Sequence, residues 1–91
     1  MERYNDRSAS ELLRGVQNDF REFCRAQVRF FEWLRNNPSA GFLATSEAFE
    51  SCVRASEFYG ASSTELKERF PEEAQKLHEL LMPIQREFFD R

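Results

Sequence analysis

The chain has 91 residues, of which 13 are basic and 16 are acidic, and its formal net charge at pH 7 is -3. This length limits it to one domain with a small core, and the slight acidity argues against the broad basic surface of nucleic-acid-binding proteins. Ten phenylalanines in a chain that is 32% charged exclude a disordered polyampholyte, and the scarcity of Gly, Pro and β-branched residues predicts an all-α fold.

The sequence shows no targeting signal. No apolar run approaches the roughly 18 residues that a membrane-spanning helix needs. Residues 1–7 are polar and lack the apolar core of a signal peptide. We therefore expect a cytoplasmic protein, with a flexible N-terminus over residues 1–7 and a single helical domain over residues 8–91.

The first predicted element is a long amphipathic helix over about residues 9–36. Its start matches a capping box of Ser8 and Glu11, and Pro38 disfavours helix beyond its end. Such a helix measures about 40 Å, whereas a compact domain of this length is roughly 30 Å across. We therefore expect an elongated antiparallel bundle of three to four helices, or a second copy that covers the overhang. The predicted apolar side contains Leu12, Leu13, Val16, Phe20, Phe23, Cys24, Gln27, Phe30, Phe31 and Leu34.

Two further helices are predicted over about residues 45–59 and 63–70. Gly60 is suited to end the first of them, because glycine is the commonest residue just past a helix C-terminus. Ser62 and Glu65 have the spacing of a capping box, which indicates that a new helix begins there. The sequence therefore predicts a break in the chain direction around Gly60.

The last predicted helix covers about residues 72–90 and contains two proline signals. Pro71 precedes two glutamates, as at a fresh helix start, which predicts a break at Phe70. The apolar spacing continues across Pro71, so a bent continuous helix is the alternative. Pro83 lies on the polar side of the helix, which favours a kink over a stop.

Three residues are candidates for chemistry. Cys24 and Cys52 lie on the apolar sides of their helices at equal distances from Pro38, so an antiparallel hairpin would bring them close as a candidate redox pair. Reduced, buried cysteines are the alternative that we favour, since nothing indicates export. His78 has no neighbour that would orient it for catalysis. We therefore expect no enzyme, no metal site and no cofactor.

Gln27 is the one polar residue in the long apolar side. A lone amide in such a position often fixes helix register or oligomeric state, because misaligned packing leaves it without a partner. The alternatives are a hydrated bundle end or a hydrogen bond to a neighbouring side chain. The sequence leaves these interpretations open.

A surplus of large apolar residues is the main functional signal. The members of this set flank or oppose the predicted core sides, and they are Val28, Trp33, Phe58, Met82 and Phe89. We expect that one small core does not cover them all, and contiguous exposed apolar patches usually mark interaction sites. The alternative is a four-segment fold that buries them. We expect a non-enzymatic interaction module, acting as an adaptor, inhibitor or assembly factor and forming a homodimer. Whether these residues serve self-association or a foreign protein stays open. The alternative function is coating an apolar lipid or polymer granule surface.

The polar turn around Asn37, Pro38 and Ser39 resembles the hairpin turn of type III secretion needle subunits. That resemblance would imply a helical-hairpin component of a secretion apparatus. It covers barely one turn, because Gly41 and Phe42 stand where the family has a second proline, and a whole helical region follows. We do not assign the chain to that family.

Overall fold

The computed structural model describes residues 8–37 and 47–89, which form four helices and no strand. The helices are α1 (Ala9–Asn36), α2 (Glu47–Arg69), α3 (Pro71–Ala74) and α4 (Leu77–Phe89). The predicted all-α fold is confirmed. The predicted flexible terminus over residues 1–7 and the predicted helix start at residues 45–46 lie outside the described residues.

Helix α1 has the predicted extent and the predicted start. The Ser8 hydroxyl accepts a hydrogen bond from the Glu11 backbone N–H at 3.2 Å, and the Glu11 carboxylate accepts one from the Ser8 backbone N–H at 2.9 Å. This reciprocal pair satisfies two N–H groups that the first helical turn leaves without partners. At the other end, the Asn37 amide donates to the Trp33 carbonyl at 2.8 Å. Hydrogen bonds between residues close in sequence therefore cap both ends of α1.

Helix α2 contradicts the predicted break at Gly60, because it continues without interruption from Glu47 to Arg69. Gly60 does not adopt the positive φ of a terminal glycine. The hydroxyls of Ser62 and Ser63 donate back to carbonyls one turn earlier instead of capping a new helix. A glycine within a helix costs about 1 kcal/mol, and packing on both sides of Gly60 outweighs it. The separate helices predicted over 45–59 and 63–70 are therefore one.

The break at Phe70 is confirmed, and a second interruption follows that the sequence does not predict. Phe70 leaves helical geometry with φ -139° and ψ 69°, and Pro71 begins α3. Residues 75–76 then form a turn before α4, so the predicted single helix over 72–90 is wrong at its start. The Lys76 N–H bonds to the Glu73 carbonyl, a three-residue spacing that tightens the chain locally. Helix α4 continues past the exposed Pro83, as predicted.

Helices α1 and α2 form an antiparallel pair. The rings of Phe20 and Tyr59 lie 5.2 Å apart between centroids, and those of Phe30 and Phe49 lie 5.6 Å apart. The ten residues from Phe20 forward to Phe30 in α1 thus span the same length as the ten residues from Tyr59 back to Phe49 in α2. This register fixes which residues of the two helices lie at the same level.

Helix α4 runs parallel to α1. The chain near Pro71 lies beside Ala9, at the start of α1. Near the end of α4, the Arg21 guanidinium forms an ion pair with the Glu87 carboxylate at 2.9 Å. The Arg25 guanidinium lies over the Phe88 ring, 5.8 Å from its centroid. The bundle therefore runs up, down and up, with α1 in contact with both other long helices.

The hydrophobic core lies towards one end of this bundle. Its buried members are Leu12, Val16, Leu66, Leu77, Leu81 and Ile84. The Cα radius of gyration is 15.6 Å and the principal extents are 53, 31 and 15 Å. A compact domain of this size has a radius of gyration near 12 Å. The predicted elongated shape is confirmed, and α1 extends beyond the core.

Candidate functional site

The bundle has two ends that differ in how well their apolar residues are covered. At the covered end, residues 9–26 of α1 pack with residues 57–69 of α2 and with α3 and α4, and the core lies there. The open end comprises residues 27–36 of α1 and residues 47–56 of α2, and within it residues 27–32 face residues 47–52. No residue in these two open-end segments is buried. The open end therefore presents apolar side chains that residues 8–37 and 47–89 only partly cover.

An aromatic strip, which we define as Phe49, Phe30, Phe31 and Phe89, joins all three long helices at the open end. Neighbouring rings are 5.6, 6.2 and 6.4 Å apart between centroids, in that order along the strip. Such centroid distances are typical of favourable tilted and edge-to-face aromatic pairs. Phe31 is 48% exposed and Phe89 is 40% exposed. The strip is thus a continuous row of aromatic rings that is exposed at Phe31 and Phe89 and half-buried at Phe30 and Phe49.

The structure divides the five predicted interface residues among different places. Phe89 belongs to the aromatic strip. Val28, Trp33 and Met82 are half-buried. Phe58 is the most exposed large apolar residue described, at 61%, and lies in a separate shallow pocket beside carboxylates of α1. The five residues do not form one surface.

Sequence reasoning misses two exposed apolar residues, Phe31 and Val53. Spacing predicts both on core-facing sides of their helices, whereas Phe31 is 48% and Val53 is 40% exposed. Their periodicity is that of core residues, so spacing alone places them inward. No sequence signal finds them, because the cause is the short α4, which has 13 residues against 28 in α1. A partner that short leaves part of the α1 apolar side uncovered.

Gln27 lies at the level of Cys52 in the register set by the flanking aromatic pairs. It is half-buried, at the point where the covered end gives way to the open end. Its amide has no hydrogen-bond partner among the described residues. Every buried side-chain polar atom in that part of the chain has a partner, so the Gln27 amide is not one of the buried atoms. The amide is therefore in reach of water or of another chain. Its role in register or oligomeric state stays a prediction.

The two cysteines are free thiols. The register places Cys24 near the level of Ala55 rather than of Cys52. Cys24 is buried and Cys52 half-buried. Burial raises the pKa of both thiols, with the nearby Arg21 partly opposing the rise at Cys24. A raised pKa lowers the thiolate fraction and with it the reactivity of a cysteine.

A crevice lies between helices α2 and α4, and we call it the α2/α4 crevice. Its volume is about 340 Å³. It is lined by Phe20, Tyr59, Ser63, Lys67, Ala74, Leu77, His78, Leu81, Met82 and Gln85. His78 is exposed on its rim and forms no hydrogen bond or ion pair with another described residue. Within residues 8–37 and 47–89, no group of three His, Cys, Asp or Glu side chains is arranged to hold a metal ion.

No protein family, curated protein or solved structure matches this chain in sequence or fold comparison. In the part of the chain that the structure describes, no helix combines the length and apolarity needed to cross a bilayer.

Proposed function

We propose that this protein is a small, non-enzymatic protein-protein interaction module that forms a homodimer through its aromatic strip. The observation that carries the proposal is the continuity of the strip across three helices, with Phe31 and Phe89 each about half exposed. Scattered exposed apolar residues are ordinary, whereas a contiguous apolar patch rich in aromatic rings is typical of an interface.

Charge around the strip favours a second copy as the occupant. Glu50 and Glu57 line the pocket beside Phe49 at one end of the strip, together with Arg54. Arg86 lines the pocket beside Phe89 at the other end. A two-fold axis through the middle of the strip would bring the Phe49 end of one copy against the Phe89 end of the other. Glu50 would then meet Arg86 twice in one interface.

The expected affinity is modest. Full burial of a phenylalanine side chain contributes roughly 1.5–3 kcal/mol, and Phe31 and Phe89 are already about half covered. Each ring therefore has about 1 kcal/mol left to gain, and a two-fold interface counts each ring twice. Because association itself costs about 4 kcal/mol or more, the flanking Val53 and the Glu50–Arg86 pairs must supply the rest. Since these supply at most about 4 kcal/mol in total, we expect a dissociation constant of about 1 mM.

Sedimentation velocity and light scattering over a wide concentration range test the proposed dimer. We expect a monomer-dimer equilibrium for the wild type and monomers for Phe31→Ser and Phe89→Ser, each with unchanged helical circular dichroism. Phe58→Ser is the matched control, since Phe58 is more exposed but lies outside the strip. It should dimerise as the wild type does. A wild type that stays monomeric at high concentration would contradict the proposal.

A charge exchange tests the geometry of the dimer. Glu50→Arg and Arg86→Glu should each weaken dimerisation several-fold, and the double variant should recover it. No recovery would contradict the proposed two-fold arrangement. If the wild type instead floats with phosphatidylcholine vesicles through Phe31 and never dimerises, the result favours the surface-coating function over the interaction module.

A further inference from the structure

The α2/α4 crevice exists because both helices pack on α1 and scarcely on each other. Its floor is apolar, with Phe20 from α1 and Leu77 and Leu81 from α4. Phe20 precedes Phe30 by ten residues, or about 15 Å along the helix axis. The crevice is therefore centred closer to the covered end than the aromatic strip is, although Met82 and Gln85 line both the crevice and the pocket beside Phe89.

Among the described residues that line the crevice, Lys67 is the one with a formal charge. Lys67 of α2 lines it, and His78 of α4 supplies a second nitrogen donor. No carboxylate from residues 8–37 or 47–89 lines it, although the chain has 16 acidic residues. Lys67 forms no ion pair with another described residue, whereas the neighbouring Lys76 is paired with Glu73 at 3.6 Å. The crevice is thus complementary to an apolar object that carries negative charge at its edge.

The dimensions of the crevice suit a helix. It extends from Tyr59 to Lys67 along α2 and from Leu77 to Gln85 along α4, which is about 12 Å on each wall. Two to three turns of a docked helix have this length. The crevice is open to solvent along its side, whereas small-molecule sites usually bury about 70–90% of their ligand. A fourth helix resting on Phe20 would contact both walls at once.

We propose that the α2/α4 crevice is a docking groove for an amphipathic helix of a partner protein, with Glu or Asp residues beside its apolar stripe to meet Lys67 and His78. Apolar anchors spaced three and four residues apart would contact the floor, as in other helix-in-groove complexes. This inference does not depend on the proposed dimer, because it uses a different part of the bundle.

Fluorescence anisotropy with two labelled model peptides tests the docking groove. Both are 14-residue helices with one leucine stripe, and their polar positions are all glutamate in one peptide and all lysine in the other. We expect the Leu/Glu peptide to bind at least tenfold more tightly than the Leu/Lys peptide, against the net charge of -3 on the protein. Absence of Leu/Glu binding, or equal binding of both peptides, would overturn the proposal.

Two matched charge reversals locate the site. Lys67→Glu should weaken Leu/Glu binding at least tenfold and strengthen Leu/Lys binding. Lys76→Glu makes the same charge change at an exposed residue outside the crevice, and it should alter binding less than twofold. Equal effects of the two reversals would show that binding is non-specific and would overturn the proposal.

Two further measurements distinguish the docking groove from the aromatic strip and from a fatty-acid site. Phe31→Ser should leave Leu/Glu binding unchanged, and Lys67→Glu should leave dimerisation unchanged, so either proposal can fail alone. If decanoate binds in a Lys67-dependent manner while the Leu/Glu peptide does not, the crevice accepts an acyl carboxylate and the helix-docking proposal is wrong.

Discussion

At the covered end, Val16 of α1 and Leu66 of α2 are completely buried, because α4 lies beside them and contributes Leu77 and Leu81 to the same cluster. At the open end, the rings of Phe30 and Phe49 lie 5.6 Å apart between centroids, yet neither residue is buried. Both ends have apolar residues at helical spacing on facing sides of α1 and α2. The difference between them is the third helix.

Helix length explains where that third helix stops. Helix α1 has 28 residues, or about 42 Å, and α4 has 13, or about 20 Å. Since α4 runs parallel to α1 from near its start, its last turn reaches only the beginning of the open end, where Phe89 meets Phe31. Two helices alone cannot enclose a core. In the part of the chain that the structure describes, no third helix covers the apolar residues beyond this point.

The largest expected effect is the contrast between core truncations at the two ends of α2. Leu66→Ala should lower the free energy of unfolding by about 2–5 kcal/mol, because it empties a fully buried site. Val53→Ala should change it by less than about 0.5 kcal/mol, because Val53 is 40% exposed. Urea denaturation of dilute protein measures both. Similar losses for the two variants would show that the open end is as well packed as the covered end.

Gly60→Ala should have a smaller effect of the opposite sign. Gly60 lies in the covered end of α2, has no positive φ, and has no heavy atom within 4 Å of the place where a Cβ would lie. Alanine should therefore raise the free energy of unfolding by about 0.5–1 kcal/mol through its better helix propensity. Thermal and urea unfolding measure the change. A loss of stability would instead support the helix end that the sequence predicts at Gly60.

The reactivity of the two thiols also compares the two ends, and measuring it requires no change in the stability of the fold. Cys24 is buried, whereas Cys52 lies in the open end and is half-buried. Mass spectrometry during iodoacetamide treatment should show Cys52 modified well before Cys24. Because burial raises the pKa of both thiols, both rates should still be rising with pH above the ordinary cysteine pKa of about 8.5. Faster modification of Cys24 would contradict its placement.

The candidate site could be predicted only in part. The excess of large apolar residues and the overhang of a long first helix are both visible in the sequence, and they predict an exposed apolar surface. Phe89 belongs to that surface, but Phe58 lies elsewhere, and Phe31 is exposed although its spacing predicts a core position. Which face of a helix is covered depends on where other helices end, and helix ends are the least reliable part of sequence reasoning. No pattern in the sequence predicts the α2/α4 crevice, because it forms where α2 and α4 both pack on α1 and scarcely on each other.

The sequence by itself determined the features that depend on neighbouring residues. These are the all-α class, the Ser8–Glu11 capping box and the break before Pro71, since caps and proline geometry act within a few residues. Only the tertiary structure decided that α2 continues through Gly60 and that α4 leaves Phe31 uncovered. The helical penalty of one glycine is about 1 kcal/mol, which packing against α1 exceeds. Long-range packing therefore set both the length of α2 and the surface that the protein presents.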